Sequence, residues 1–169
     1  MVGGLHEIDR AQLVPLPVDE AFAFFADAFN LEAITPPWLR FRILTPRPIA
    51  MGEGAMIDYR LQLHHVPCRW HTRIETWVPG RRFVDRQLSG PFSRWEHTHT
   101  FESRPEGTLI RDLVVYQMPL GPLGELARRL LIGRDLERIF DYRCEAVERL
   151  LGAARPSQSE KPGGLASSG

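Results

Sequence analysis

The sequence predicts an α+β chain in which an antiparallel sheet of about seven strands meets one long C-terminal helix, with two short helices after the first strand. Three observations lead there. Between positions 39 and 118, apolar and polar residues alternate in runs separated by Pro/Gly turns, the pattern of consecutive antiparallel strands. From Leu120 to Leu151 the apolar residues recur at spacings of three and four, the period of an amphipathic helix. Near the N-terminus, Pro17-Val18-Asp19-Glu20 places a proline and two acids where a helix begins and its dipole is positive.

Taken in order, His6 to Val14 reads as the first strand and stops at Pro15. The helix opened at Pro17 carries Ala21, Phe22, Phe24, Phe25 and Phe29, with Phe22, Phe25 and Phe29 at core spacing. Leu31 to Ile34 makes a second short helix, ended by Thr35-Pro36-Pro37 because proline disfavours helical geometry in the residue before it. Strands are then expected over 39–45, 55–63, 68–77, 83–88, 93–104 and 108–118. The turns between them are Gly52-Glu53-Gly54, the stretch around Pro67, Val78-Pro79-Gly80-Arg81, Gly90-Pro91 and Pro105-Glu106-Gly107. Pro119 ends the sheet. The final helix is kinked or interrupted at Gly133, and its charged residues, Arg143 among them, are expected on a solvated face.

Composition narrows the function classes. A chain of 169 residues is long enough to bury a sizeable core without staples, and residues 1–152 are assigned to one folded domain. Residues 153–169, AARPSQSEKPGGLASSG, carry no apolar period and are expected to form a disordered tail. The formal net charge is zero, so no global field favours nucleic acid or an anionic membrane. Twenty arginines against a single lysine, Lys161, are scattered through the chain, as a GC-rich genome would produce. Cys68 and Cys144 have no metal-type spacing and are expected to be free thiols. No segment approaches the roughly 20 apolar residues needed to cross a bilayer, so a cytoplasmic protein without stable membrane insertion is expected. Phosphate loops, nucleophile elbows and basic–aromatic patches are all missing, which argues against nucleotide enzymes, serine hydrolases and nucleic-acid partners.

The stretch carrying the most chemistry is Trp95-Glu96-His97-Thr98-His99-Thr100-Phe101. Strict alternation puts Trp95, His97, His99 and Phe101 on one strand face, and two imidazoles among apolar rings suit contact with something partly polar. If Pro105 and Glu106 form a two-residue loop, His99 lies opposite Asp112, His97 opposite Val114, Trp95 opposite Tyr116 and Phe101 opposite Ile110. On the preceding strand, a three-residue Gly90-Pro91-Phe92 loop aligns Asp85 with His97 and Gln87 with Trp95; a four-residue loop turns Arg86 inward instead. Trp70 and Thr72, or else His71 and Arg73, line the next strand. His64 and His65 are expected to be exposed. Met51 and Met56 serve either as cavity lining or as filler. The His/Asp/Tyr cluster has four readings: the polar end of a binding pocket, general acid–base catalysis, a metal site, or a satisfied structural core.

The order of elements, with the runs Ile34-Thr35-Pro36-Pro37-Trp38, Val66-Pro67-Cys68-Arg69-Trp70, Phe83-Val84-Asp85-Arg86-Gln87, Gly90-Pro91-Phe92-Ser93-Arg94-Trp95-Glu96-His97 and Tyr116-Gln117-Met118-Pro119-Leu120-Gly121, resembles the START / Bet v 1-like (SRPBCC) superfamily. Within it, the runs are similar to a bacterial polyketide cyclase/dehydrase-like branch whose domain also occurs fused to sugar-nucleotide epimerase-like proteins. The resemblance covers roughly residues 6–151. It implies a helix-grip fold in which a curved sheet wraps the long helix and leaves a mostly apolar cavity for a lipid- or polyketide-like molecule. It also places Trp38 at a gate over that cavity, where a plain hydrophobic plug is the other reading. The expected function is binding of a hydrophobic or amphipathic small molecule by Trp95, His97, His99, Asp112, Tyr116, Asp85, Gln87, Trp70 and Trp38, with no cofactor and no metal. A cyclase or dehydratase using His97 or His99 with Asp112 or Tyr116 is the alternative, and a non-catalytic interaction module with a protein partner is a second.

Overall fold

The computed structural model describes residues 4–152, so the expectation of a disordered tail lies outside the described residues. Strand β1 (Leu5–Val14) leads into helix α1 (Val18–Ala26) and the single turn α2 (Asn30–Ala33). A 3-10 turn at Pro37–Leu39 precedes β2 (Arg42–Ile43). There follow β3 (Met56–Leu63), β4 (Val66–Val78), β5 (Arg82–Ser89), β6 (Arg94–Arg104) and β7 (Gly107–Gln117). The long C-terminal helix consists of α3 (Gly121–Ala127), a π-helical turn (Arg128–Ile132) and α4 (Gly133–Leu151).

The seven strands form one antiparallel sheet in the order β1-β7-β6-β5-β4-β3-β2. The first strand thus closes onto the last, and the helices between β1 and β2 cross over the sheet. Register shifts in the β4–β5 ladder, between His71 and Thr72 and between Ile74 and Thr76, are the irregularities that bend and twist a sheet. A bent sheet and a straight helix cannot touch everywhere, which is the physical origin of a cavity between them.

Several sequence expectations are corrected. The strand expected over 39–45 is only the two residues Arg42–Ile43. Its start is taken by the 3-10 turn, whose cap Arg40 has φ 45°, and at its far end the Thr45 hydroxyl, not a backbone carbonyl, accepts from the Asp58 N–H. The helix interruption lies at the π turn immediately before Gly133. Arg143 is not solvated: it is buried, 5% exposed, in the row Leu136, Phe140, Arg143, Val147, Leu151. Conversely, Leu120, Leu123, Leu126, Leu130 and Leu131 are exposed by half or more, so this first part of the long helix leaves its leucines uncovered.

Glycine is needed at two close approaches. A Cβ on Gly107, whose φ is 142°, would lie 2.0 Å from the Val14 carbonyl oxygen, where β1 passes the β6–β7 turn. A Cβ on Gly124 would lie 1.8 Å from the Pro119 carbonyl oxygen at the start of the long helix. The core has two main parts on the concave face. One groups Phe22, Phe25, Phe83, Phe101 and Val147; the other groups Trp70, Phe92, Trp95, Tyr116 and Phe140. His99 stacks on Phe83 at 4.1 Å and His97 meets Phe140 edge-on at 5.5 Å, so the polar cluster sits where the two parts join.

Candidate functional site

The β6–β7 pairing follows the two-residue loop: Arg104 faces Gly107, His99 faces Asp112, His97 faces Val114, Trp95 faces Tyr116 and Phe101 faces Ile110. On the other side, Asp85 faces His97 and Phe83 faces His99. Three adjacent strands therefore bring Asp85, His97, His99 and Asp112 together, all at least four-fifths buried. The long helix adds Arg143 from above.

Asp112 binds the two histidines from one side. Its Oδ1 lies 3.0 Å from His97 Nε2 and 2.8 Å from His99 Nδ1. Its Oδ2 accepts from Arg143 Nε at 2.9 Å. Asp85 Oδ2 lies across the rings, 3.0 Å from His99 Nε2 and 3.8 Å from His97 Nδ1. His99 thus faces a carboxylate through each nitrogen.

These contacts split the titrations of the two imidazoles. Burial disfavours the His99 cation, but hydrogen bonds to Asp112 and Asp85 outweigh it and raise its pKa above 6.5. For His97, burial together with the neighbouring His99 charge prevails, and its pKa falls below 6.5. Burial raises Asp112, yet the Arg143 charge and the two histidines hold its carboxyl well below the usual range. Asp85 is likewise lowered against its burial, chiefly by the His99 hydrogen bond. With Asp85 and Asp112 ionised, Arg143 charged and one proton added on His99, the buried charges cancel. That balance is what makes such a cluster tolerable in a core.

Asp85, His97, His99 and Arg143 form part of the wall of a cavity of about 180 Å³ whose lining is otherwise mostly apolar. Phe25, Ala28 and Leu31 line it from the short helices; Ile57, Leu61, Trp70, Thr72, Ile74, Phe83 and Trp95 from the sheet; Leu136, Ile139 and Phe140 from the long helix. Met51 contributes from the β2–β3 loop, whereas Met56 is exposed. An apolar void of ~150 Å³ accepts a benzene-sized guest, and this cavity is of that order of size. The Trp70 indole N–H is buried and meets no acceptor among the described residues.

Of the residues singled out in the sequence, Asp85, Trp70, Trp95, His97 and His99 line the cavity. Asp112 stands behind the histidines rather than in the wall. Tyr116 is buried against Phe92 and Trp95 and is not a wall residue. Gln87 is diverted: its Nε2 donates to the Phe92 carbonyl at 2.7 Å, pinning the β5–β6 turn. Trp38 is not among the residues that line the cavity; it is 51% exposed and packs edge-on against Tyr142. Thr72 is inward and His71 outward, where His71 pairs with Asp58 at the surface. His64 and His65 are exposed, and His64 reaches Asp135 on the helix. The residue missed was Arg143. Its spacing from Leu136, Phe140 and Val147 was the available signal, since it falls inside the apolar stripe.

A family model described as "Polyketide cyclase / dehydrase and lipid transport" matches residues 14–142. The chain belongs to this family. Among solved structures, TTHA0849 from Thermus thermophilus aligns with a TM-score of 0.65 at 20% identity, covering 89% of this chain and 100% of that one. The Zhui aromatase/cyclase from Streptomyces sp. R1128 aligns at 0.62 and 16% identity, covering 89% and 99%. Ara h 8.0201 aligns at 0.62 and 15%, covering 88% and 98%. At these identities the likeness is one of fold. No curated protein matches in sequence. Among the described residues no helix is long and apolar enough to cross a membrane.

Proposed function

We propose that this member of the family binds a hydrophobic or amphipathic small molecule, lipid- or polyketide-like, with an oxygen-bearing group at the His97/His99/Asp85 part of the cavity wall. The observation that carries this reading is the contrast within one cavity: mostly apolar walls and, set among them, a buried cluster of paired charges. Such a site rewards a ligand whose body is apolar and whose head exchanges hydrogen bonds. The Trp70 N–H offers a second donor for a ligand oxygen. The family's description as one of cyclases, dehydrases and lipid-transport proteins supports the ligand class.

A second reading, a cyclase or dehydratase acting on a polyketide-like substrate, draws on the unlike titration of the two histidines. A lowered His97 beside a raised His99 puts a weaker and a stronger base side by side on one cavity wall, the pairing that acid–base catalysis uses. Native mass spectrometry of gently purified protein, followed by organic extraction, tests binding directly. A co-purifying molecule with an apolar skeleton is expected, and the same molecule then serves as the first substrate tested. If neither an extracted molecule nor any member of an apolar ligand panel binds the wild type, the proposal fails.

A further inference from the structure

We propose that Asp85, His97 and His99 form a binding site for a divalent first-row cation, with zinc preferred, at the cavity wall. His97 and His99 sit two apart on β6 and so present both rings to the same side. Each ring turns one nitrogen to Asp112: His97 Nε2 at 3.0 Å and His99 Nδ1 at 2.8 Å. The other nitrogens, His97 Nδ1 and His99 Nε2, face Asp85 Oδ2 at 3.8 and 3.0 Å.

In metal centres a ligating histidine gives its back N–H to a carboxylate, which fixes the tautomer and aims the lone pair. Here one aspartate does this for two histidines, and Arg143 anchors that aspartate in turn. The three front donors lie within 4.8 Å of one another. Tetrahedral zinc, with bonds of about 2.0–2.1 Å, needs donors about 3.3 Å apart, so the widest pair must close by up to about 1.5 Å to complete the set. Phe83 and Phe140 pack the rings from either side and hold them in place.

The two carboxylates and one guanidinium leave the cluster with one net negative charge before the histidines are counted. A divalent cation that takes the place of any proton on His99 Nε2, released to solvent, turns that charge into one net positive charge, which an anionic group in an open coordination position would balance. The carboxylate partner for the metal is therefore Asp85, while Asp112 acts from behind the rings as a positioning residue. Asp85, His97 and His99 all line the cavity, so the remaining coordination positions open toward any bound molecule.

The test uses the full chain, stripped with chelator and titrated with Co²⁺, whose visible absorption is intense in four- or five-coordinate N/O sites. One equivalent per chain is expected, with the band bleached by Zn²⁺. Asp85→Asn and His97→Gln are each expected to abolish the band, with folding checked by thermal melting. Asp112→Asn is expected to weaken binding by roughly 10–100-fold at unchanged stoichiometry. His71→Asn, which removes an exposed His–Asp pair, should change nothing. Absence of the band in the wild type, its survival in the first two variants, or its loss in His71→Asn overturns the site. Should the variants fail to fold, X-ray absorption of the zinc-loaded wild type decides: two imidazoles support it, and one or none refutes it. Metal binding and organic-ligand binding are read by separate assays, so either proposal can fail alone.

Discussion

Arg143 on α4 donates from Nε to Asp112 Oδ2 on β7 at 2.9 Å, and both side chains are 7% exposed. This ion pair ties the long helix to the centre of the sheet and supplies the counter-charge that lets Asp112 stay ionised beneath two histidines. Removing one partner leaves the other charge buried alone. Arg143→Met should therefore cost about 3–5 kcal/mol of stability. The double variant Arg143→Met/Asp112→Asn should recover part of that loss, because the orphaned carboxylate is gone. Urea unfolding of the four proteins in the cycle measures the coupling; strictly additive losses would show that the pair does not act as one unit.

The two histidines predict a pH optimum for stability. His99 has a folded pKa above its ordinary 6.5, so its contribution is complete below 6.5 and is lost as pH rises through the folded value. The folded pKa of His97 is lowered, so the unfolded chain binds more protons below 6.5 and stability falls as pH drops through that window. The sum is a maximum near pH 6.5, with a decline on either side. Replacing both histidines by asparagine should flatten the profile between about pH 5 and 8. Chemical unfolding at a series of pH values reads both slopes, and a wild-type profile flat across this range would remove the case for opposed titrations.

Ligand binding should respond to changes at two places on the cavity wall in different ways. Met51, half-buried in the β2–β3 loop, lines the cavity from a segment outside the helices and strands. Met51→Trp is expected to fill the space and cut binding of an apolar fluorescent probe by at least about tenfold, with stability changed by less than ~1.5 kcal/mol. His99→Ala leaves the volume open but removes a buried hydrogen-bonding group. It should weaken an oxygen-bearing ligand by about 1–3 kcal/mol and a pure hydrocarbon far less. Calorimetry with a matched pair of such ligands separates the two effects.

Much of this site was legible before the structure. The β6–β7 register followed from loop length alone, because one two-residue turn fixes every cross-strand partner from Trp95–Tyr116 to Phe101–Ile110. Asp85 lies opposite His97 as the three-residue Gly90-Pro91-Phe92 loop requires, but the sequence left a four-residue loop with Arg86 inward equally open. What the sequence hid were facts of depth and layering. Asp112 and Asp85 share a sheet face with the histidines, yet one lies behind the rings and the other in the cavity wall; strand alternation cannot order them. Gln87 has the right parity and is spent on a turn. Charge in a helix usually signals solvent, and Arg143 is an exception that only its position in the apolar row marks. Trp38 was expected to serve the cavity, but the backbone after Pro37 carries it out to Tyr142 on the helix surface.

The same helix supplies a last contrast. Leucines at regular spacing from Leu120 to Leu151 read as one apolar stripe, but the structure divides them. Leu136 and Leu151 are 5% and 7% exposed, while Leu123, Leu126 and Leu130 are 72%, 54% and 61% exposed. The π turn at Arg128–Ile132 inserts one residue into the helical repeat and rotates the face that precedes it away from the face that follows. A leucine already facing water gains little from being apolar. Leu126→Gln and Leu130→Gln should each shift stability by no more than ~0.5 kcal/mol. Leu136→Ala, four positions beyond the turn, should cost about 2–5 kcal/mol by opening a cavity in the core. Thermal and chemical unfolding of the three variants would check the division. A cost above about 1 kcal/mol for either glutamine variant would mean that the first half of the helix packs against something in the folded protein.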